Sequence, residues 1–211
     1  MWLPQAVHML LAAFVAVGFG GAGVHALLLR RQPASTLHRH ALTLSAWVGG
    51  IAAVLLPLSG DLLAKRVAVL QPVKLAAMEG LFRTEQPAGM RIGGWPDEAS
   101  ETTRFAIEIP YVLSVLAFDD ANAPVRGLAE FPRENWPPVA ITHVAFQVMV
   151  GVGSFLLLVA VLMAWLAWRR RALADQRWML RTLVLSAPLG FVGIEAGWVV
   201  TEVGRQPWIV Q

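Results

Sequence analysis

The sequence predicts an all-α membrane protein with four transmembrane helices and a long extracytoplasmic loop between the second and the third. Three observations predict this fold class: 56% of the 211 residues are hydrophobic, only 15% are charged, and the mean hydropathy is +0.57. The apolar residues are concentrated in four windows, each close to the roughly 20 residues that cross about 30 Å of hydrocarbon. An ordinary soluble domain, a disordered chain and a disulfide scaffold are excluded.

The apolar windows define the predicted spans in chain order. These spans are 5–29, 41–60, 139–168 and 179–203. The first contains no formal charge, the second ends where Asp61 begins a polar stretch, and the third ends in tryptophans beside Arg169. Such a pairing of aromatic and basic residues is typical of a membrane interface. The fourth span is unusual because it contains Glu195 and Glu202.

These spans divide the chain into three predicted regions. Residues 1–60 form the first two transmembrane helices, 61–138 form the loop, and 139–211 form the last two helices. Within the loop, a helix is predicted over 66–82, and the apolar run 107–118 is expected to fold back onto the membrane surface. A loop of this length is usually functional or disordered.

The charges are sorted by segment, and their distribution predicts the topology. The short turn after the first span contains three arginines and no acid, and the turn after the third contains four arginines and Asp175. The loop 61–138 has eleven acidic and eight basic residues, a net charge of −3. By the positive-inside rule the two turns are cytoplasmic, so the loop and both termini lie outside. The overall charge of +3 therefore predicts no nucleic-acid partner.

Two side chains in the spans could bind a metal. His8 lies about two turns into the first span, where an imidazole is costly unless it has a partner or a metal. It is either a hydrogen-bonded core histidine or a ligand of haem iron. Met149 in the third span is either packing material or an axial thioether ligand. The residue types alone leave both alternatives open.

Further candidates are carboxylates and basic residues. Glu195, Trp198 and Glu202 fall on one helical stripe, which indicates either a functional site or a buried pair in which Arg205 neutralises Glu202. The predicted topology places His8, Met149, Glu202 and Arg205 in the outer half of the bilayer. Lys74 and Glu79 lie in the predicted loop helix, where a solvated amphipathic surface is the ordinary expectation.

Three motifs resemble one family. They are GDLLAKRVAVLQPVKLAAMEG (60–80), FPRENWPPVAITHVAFQVMVG (131–151) and GWVVTEVGRQPW (197–208). Together they resemble subunit I of the cytochrome bd-type quinol oxidases, and within that family the short-loop, cyanide-insensitive branch. The resemblance covers essentially the whole chain and implies a multi-pass protein of the bacterial cytoplasmic (inner) membrane, with the loop and both termini periplasmic.

The resemblance also implies cofactors and residue roles. His8 and Met149 match the axial ligands of a low-spin haem b, and Lys74 and Glu79 match the quinol-interacting residues of the periplasmic loop. Glu202 and Arg205 match residues beside the high-spin haem b and the haem d or b where dioxygen is reduced to water. Subunit II and the membrane lipid are the implied partners. One branch of the family has an arginine at the position of Gln147.

The chain resembles only the fifth to eighth helices of the family's subunit I. The first helix of the family carries a histidine ligand of a high-spin haem, and the third and fourth carry proton-channel carboxylates, for which this chain has no counterpart. We therefore expect a truncated or split subunit that is inactive alone and requires the missing helices of subunit I. The alternatives are a stand-alone b-haem and quinol-binding membrane module without oxidase activity and a remnant that binds no haem. Reduced-minus-oxidised spectra would separate the three.

Overall fold

The computed structural model describes residues 2–207. Met1 and 208–211 lie outside the described residues, and with them Trp208, the last residue of the third motif. The described chain is mostly helical, with seven α-helices. They are α1 (Trp2–Arg31), α2 (Thr36–Leu70), α3 (Pro72–Glu79), α4 (Val112–Phe118), α5 (Val139–Trp168), α6 (Arg177–Ser186) and α7 (Leu189–Val203).

The structure has four candidate membrane-spanning helical segments, the number that the sequence predicts. Within residues 2–207, four segments are long and apolar enough to cross a membrane. They are Leu3–Arg31, Thr36–Leu70, Arg133–Trp168 and Arg177–Val203. The third predicted span coincides with α5, which follows Pro137 and Pro138, since proline favours a helix start and lacks the N–H that a helix interior needs.

The second helix is longer than predicted. α2 continues past Asp61 to Leu70, so the helix predicted over 66–82 is divided between α2 and α3 at Gln71. The carboxylate that was expected to follow the end of the span, that of Asp61, is paired within the helix: the Lys65 ammonium lies 2.8 Å from Asp61 and 2.7 Å from Asp119. Pro72 then interrupts the helix, since it has no N–H to donate.

The fourth predicted span is two helices rather than one. α6 ends at Ser186 and α7 begins at Leu189, with Pro188 between them. Proline removes a helical hydrogen bond and disfavours the helical conformation of the residue before it, so the break falls at Ala187 and Pro188. Glu195 and Glu202 consequently belong to the shorter helix α7 alone.

Residues 2–60 and 150–194 form one compact unit, the bundle unit. Its core contains Phe19, Leu42, Leu156, Met163 and Leu183, each at most 1% exposed. The helices of this unit meet through small residues: a Cβ added to Gly18 of α1 would lie 2.4 Å from Cα of Gly49 in α2. Two helix backbones are therefore in direct contact, which is typical of membrane helices that pack without large side chains.

Residues 61–149 and 195–207 form the described part of a second compact unit, the loop unit. It contains α3, α4 and two antiparallel ribbons, in which β1 (Met90–Ile92) pairs with β4 (Ile107–Ile109) and β2 (Trp95–Asp97) with β3 (Thr102–Arg104). The apolar run 107–118 thus forms β4 and α4. The core of the unit includes Leu75, Leu81, Leu113, Val125 and Val200.

Candidate functional site

The short helix α3 carries two of the predicted site residues. It begins at Pro72 and ends at Gly80, which adopts a left-handed conformation with φ of +61° and donates its N–H to the carbonyl groups of Ala76 and Ala77. Glycine is suited to this helix-ending conformation because it has no Cβ. Six of the eight helix residues are buried, including both charged ones. The expectation of a solvated amphipathic surface is therefore wrong for Lys74 and Glu79.

Lys74 is 7% exposed and lies beside the end of α7. Its Cε is 3.2 Å from the position that a Cβ on Gly204 would occupy. Burial, and to a smaller extent the positive charge of Arg205, lower the pKa of Lys74 to about 8, against the opposing effect of the Glu202 carboxylate. The fold thus brings together three predicted site residues from two distant parts of the sequence.

Glu79 is 3% exposed and interacts with Arg91 of β1. Burial raises the pKa of Glu79 to about 7, although a hydrogen bond from the Arg91 backbone N–H and the guanidinium charge lower it. The guanidinium also pairs with Glu85 and lies 3.8 Å from Glu108. Within the described chain, Oε2 of Glu79 accepts no hydrogen bond. A buried oxygen of this kind is available to a ligand.

The raised pKa of Glu79 predicts a pH-dependent stability. Because the pKa rises from 4.5 to about 7 on folding, the folded protein binds more protons than the unfolded protein between these values. The free energy of unfolding should therefore fall by about 3 kcal/mol in total as the pH rises through this range. It should level off above about pH 7. Glu79→Gln should abolish this dependence, so thermal unfolding of both proteins at pH 5 and pH 8 checks it. An equal slope in the two proteins would contradict the prediction.

His8 is half-buried in α1, and its ring is oriented by a serine that the sequence analysis missed. Nδ1 of His8 lies 2.8 Å from Oγ of Ser59, which itself donates to the carbonyl of Leu56 at 2.8 Å. The hydroxyl proton is therefore used, so Nδ1–H of His8 donates to Ser59 and Nε2 carries the lone pair. Metal-binding histidines usually have this arrangement, with the second nitrogen held by a hydrogen bond. The geometry fits an axial haem ligand.

Met149 lies in the loop unit and faces α7. Its Sδ is 3.2 Å from the position of a Cβ on Gly197, and a Cβ on Gly151 would meet no atom within 4 Å. The thioether therefore packs against Gly197, whereas the space beside Gly151 is open. A thioether can ligate haem iron or fill space between helices, and this environment fits both roles.

Within residues 2–207, Glu202 and Arg205 form no side-chain ion pair. The alternative of a buried pair in which Arg205 neutralises Glu202 is therefore not supported. Instead, Glu195, Trp198 and Glu202 share an exposed face of α7, as the spacing predicted. Nε of Arg205 is buried, and no described group accepts its proton. An unpaired guanidinium nitrogen fits an anionic group such as a haem propionate.

Sequence reasoning missed Ser59, Arg91 and His143, and it gave Gln147 no role. His143 is fully buried near the start of α5. His8 was predicted as a site residue because it is a histidine within an apolar span, and the same criterion applies to His143. Ser59 offered no comparable pattern because His8 is far from it in the sequence, and the contact between Arg91 and Glu79 depends on how the chain folds between them.

Comparisons with known proteins agree on one family. The family model of cytochrome bd terminal oxidase subunit I matches residues 1–211. The chain is 38% identical over 209 residues to a putative cytochrome bd menaquinol oxidase subunit I of Bacillus subtilis, covering 96% of this chain and 46% of that protein. It is 30% identical over 271 residues to the cytochrome bd-II ubiquinol oxidase subunit 1 of Escherichia coli, covering 97% and 52%.

A solved structure gives the same result. The bd oxidase from Geobacillus thermodenitrificans superposes with a TM-score of 0.88 at 38% identity, covering 99% of this chain and 48% of that one. The chain therefore spans about half the length of the relatives that it matches.

Proposed function

Because this chain belongs to the family of subunit I of the cytochrome bd terminal oxidases, we propose that it is a haem-binding part of a membrane complex that oxidises quinol and reduces dioxygen to water. The observation that carries this proposal is the cluster of Lys74, Glu202 and Arg205 in the loop unit. In this cluster Lys74 of α3, which contacts quinol in this proposal, lies close to Glu202 and Arg205, which are assigned to the oxygen site.

Quinol binds against α3, where Lys74 and Glu79 act on it. With a pKa of about 8, Lys74 is mostly protonated at neutral pH and donates a hydrogen bond to a quinol oxygen. With a pKa of about 7, Glu79 is partly ionised, and its unpartnered Oε2 accepts the proton of a quinol hydroxyl. The two residues are five positions apart on the helix, so they need not contact the same quinol atom.

In this proposal Nε2 of His8 and Sδ of Met149 would each supply a ligand to the iron of a low-spin haem b. Glu202 and Arg205 would serve the oxygen site, with its high-spin haem b and haem d or b. When bound, the haems supply electron transfer from quinol to dioxygen. Ser59 keeps the His8 ring in the orientation that exposes Nε2. Arg205 donates from its buried Nε to a negatively charged group.

The complex lies in the bacterial inner membrane, with the loop and both termini on the periplasmic side. Its other parts are the remaining helices of subunit I and subunit II. The exposed face of α7 supports this proposal, because carboxylates such as Glu195 and Glu202 are not stable against lipid and require protein or cofactor neighbours.

Quinol-dependent oxygen uptake by membranes that contain the assembled complex tests this proposal. Lys74→Ala and Glu79→Ala should each lower the rate by about tenfold or more, since each removes a charged hydrogen-bonding group. The haem bands should be unchanged, because both residues lie outside the membrane-spanning segments.

The matched controls are Arg83→Ala and Glu134→Ala, which remove the same charges from exposed positions of the loop unit. Both should retain the wild-type rate. If all four variants oxidise quinol like the wild type, α3 takes no part in the reaction and the proposed function of the loop unit is wrong.

A further inference from the structure

Within the loop unit, two polar side chains near the start of α5 contact the segments around α3 and β1. They are His143 and Gln147, which lie one helical turn apart. His143 is fully buried. Its Nδ1 lies 2.8 Å from the carbonyl oxygen of Met78 at the end of α3, and its Nε2 lies 3.0 Å from the carbonyl oxygen of Gly93 after β1. One side chain therefore contacts two segments that are separate in the sequence.

Gln147 extends this contact by one turn. Its Nε2 donates to the carbonyl oxygen of Arg91 at 2.8 Å, and its Oε1 accepts from the N–H of Gly93 at 3.0 Å. The side-chain amide thus uses its donor and its acceptor on the same short stretch of backbone. An arginine at this position could not accept the Gly93 N–H, because a guanidinium has no acceptor.

Both contacts involve residues that adjoin Glu79. Met78, which His143 contacts, is its neighbour in the chain. Arg91, whose carbonyl binds Gln147, donates its own backbone N–H to the Glu79 carboxylate. The packing is tight here, since a Cβ on Gly80 would lie 3.3 Å from Nδ1 of His143 and 2.6 Å from Oγ1 of Thr103. The position of the Glu79 carboxylate therefore depends on α5.

We propose that His143 and Gln147 are positioning residues that fix the end of α3 and the turn after β1 on α5, the helix of Met149, and thereby set the place of Glu79 for quinol. This inference rests on the proposed quinol oxidation. Neither residue contacts quinol in this inference, since both ring nitrogens of His143 face backbone carbonyl groups and the Gln147 amide is bonded to Arg91 and Gly93. A side chain that holds a catalytic group through locked hydrogen bonds can control binding without touching the substrate.

The experiment compares His143→Phe and Gln147→Leu with the wild type in the assembled complex. A short-chain, water-soluble quinol is the substrate. The loss of these hydrogen bonds should raise KM by about tenfold, because buried backbone groups lose their partners. The maximal rate should change less than KM, and the low-spin haem band should be unchanged.

Hydrogen exchange supplies a readout that does not depend on activity. The amides of 90–94 should exchange faster in Gln147→Leu, since the Gly93 N–H loses its acceptor. The control is Thr142→Val, a buried position next to His143 whose hydroxyl donates only to the Pro138 carbonyl. This control should match the wild type in KM and in exchange.

Two milder variants decide the question if the first pair fails to assemble. Gln147→Glu retains the acceptor for Gly93 but loses the donor for Arg91, and His143→Gln retains a donor. Both should raise KM to an intermediate value. Wild-type KM and exchange in these variants would overturn the inference, and the proposed function would still stand if Lys74→Ala and Glu79→Ala impair turnover. If those two alanine variants turn over normally, the proposed function fails, and exchange of 90–94 alone decides whether α5 fixes the loop.

Discussion

Replacing Met149 by alanine in the assembled membrane complex should abolish the absorption band of the low-spin b haem, and His8→Ala should have the same effect. In our proposal each residue supplies one axial ligand, so neither can be lost without changing the coordination of the iron. The hydrogen bond from His8 Nδ1–H to Ser59 motivates the assignment, since it leaves Nε2 available. Reduced-minus-oxidised spectra of the membranes measure the band.

Each variant has a matched control on its own helix. Met163→Leu changes a buried methionine of the α5 core, and His25→Ala removes the second histidine of α1, whose Nδ1 lies 3.2 Å from that of His38. Both controls should retain the low-spin band. A normal low-spin spectrum in Met149→Ala would show that this methionine is packing material after all.

Glu202→Ala should suppress oxygen reduction and perturb the high-spin haems, while quinol still reduces the low-spin haem. In our proposal Glu202 would lie beside an iron of the oxygen site, where its negative charge complements that of the metal, and Arg205 supplies a cation within one turn. Glu202→Asp should be intermediate, because it keeps the charge but shortens the side chain by one methylene. Oxygen uptake and haem spectra on the same membranes separate the two reactions.

Glu195→Ala is the matched comparison for Glu202→Ala. Both carboxylates lie on the exposed face of α7, but Glu195 is about two turns from Glu202 and further from Arg205. A smaller effect at Glu195 would locate the oxygen site at the Glu202 end of the helix. Wild-type oxygen uptake with unchanged spectra in Glu202→Ala would make this carboxylate structural.

The sequence predicted the helical spans better than their ends. The bounds of α5 were correct because prolines precede the apolar run and Arg169 follows it. The end of α2 was predicted ten residues early, since the charge at Asp61 was taken to mark the membrane boundary. In the structure Asp61 pairs with Lys65, which also pairs with Asp119, a residue far along the chain. The composition of a segment shows how apolar it is. Which distant residue pairs with a charge in that segment depends on the fold.

The candidate site could be predicted in part. Spacing placed Glu195, Trp198 and Glu202 on one face of α7, and the fold agrees. The burial of Lys74 and Glu79 was not predicted, because α3 is covered by segments that are distant in the sequence. For the same reason Ser59 and Arg91 could not be identified: their importance depends on which side chain the fold brings within hydrogen-bond distance.

The contact between Gly18 and Gly49 has a consequence for the biosynthesis of the protein. α1 and α2 are consecutive and are joined by only four residues, 32–35. Their backbones touch at these two glycines, and the first group of arginines flanks the connection, with Arg30 and Arg31 at the end of α1 and Arg39 at the start of α2. Contacts that are close in sequence form early and at low entropic cost. The two helices can therefore pair as a hairpin during insertion, before the ribosome has made α5. We therefore expect a larger residue at Gly18 or Gly49 to lower the yield of inserted protein.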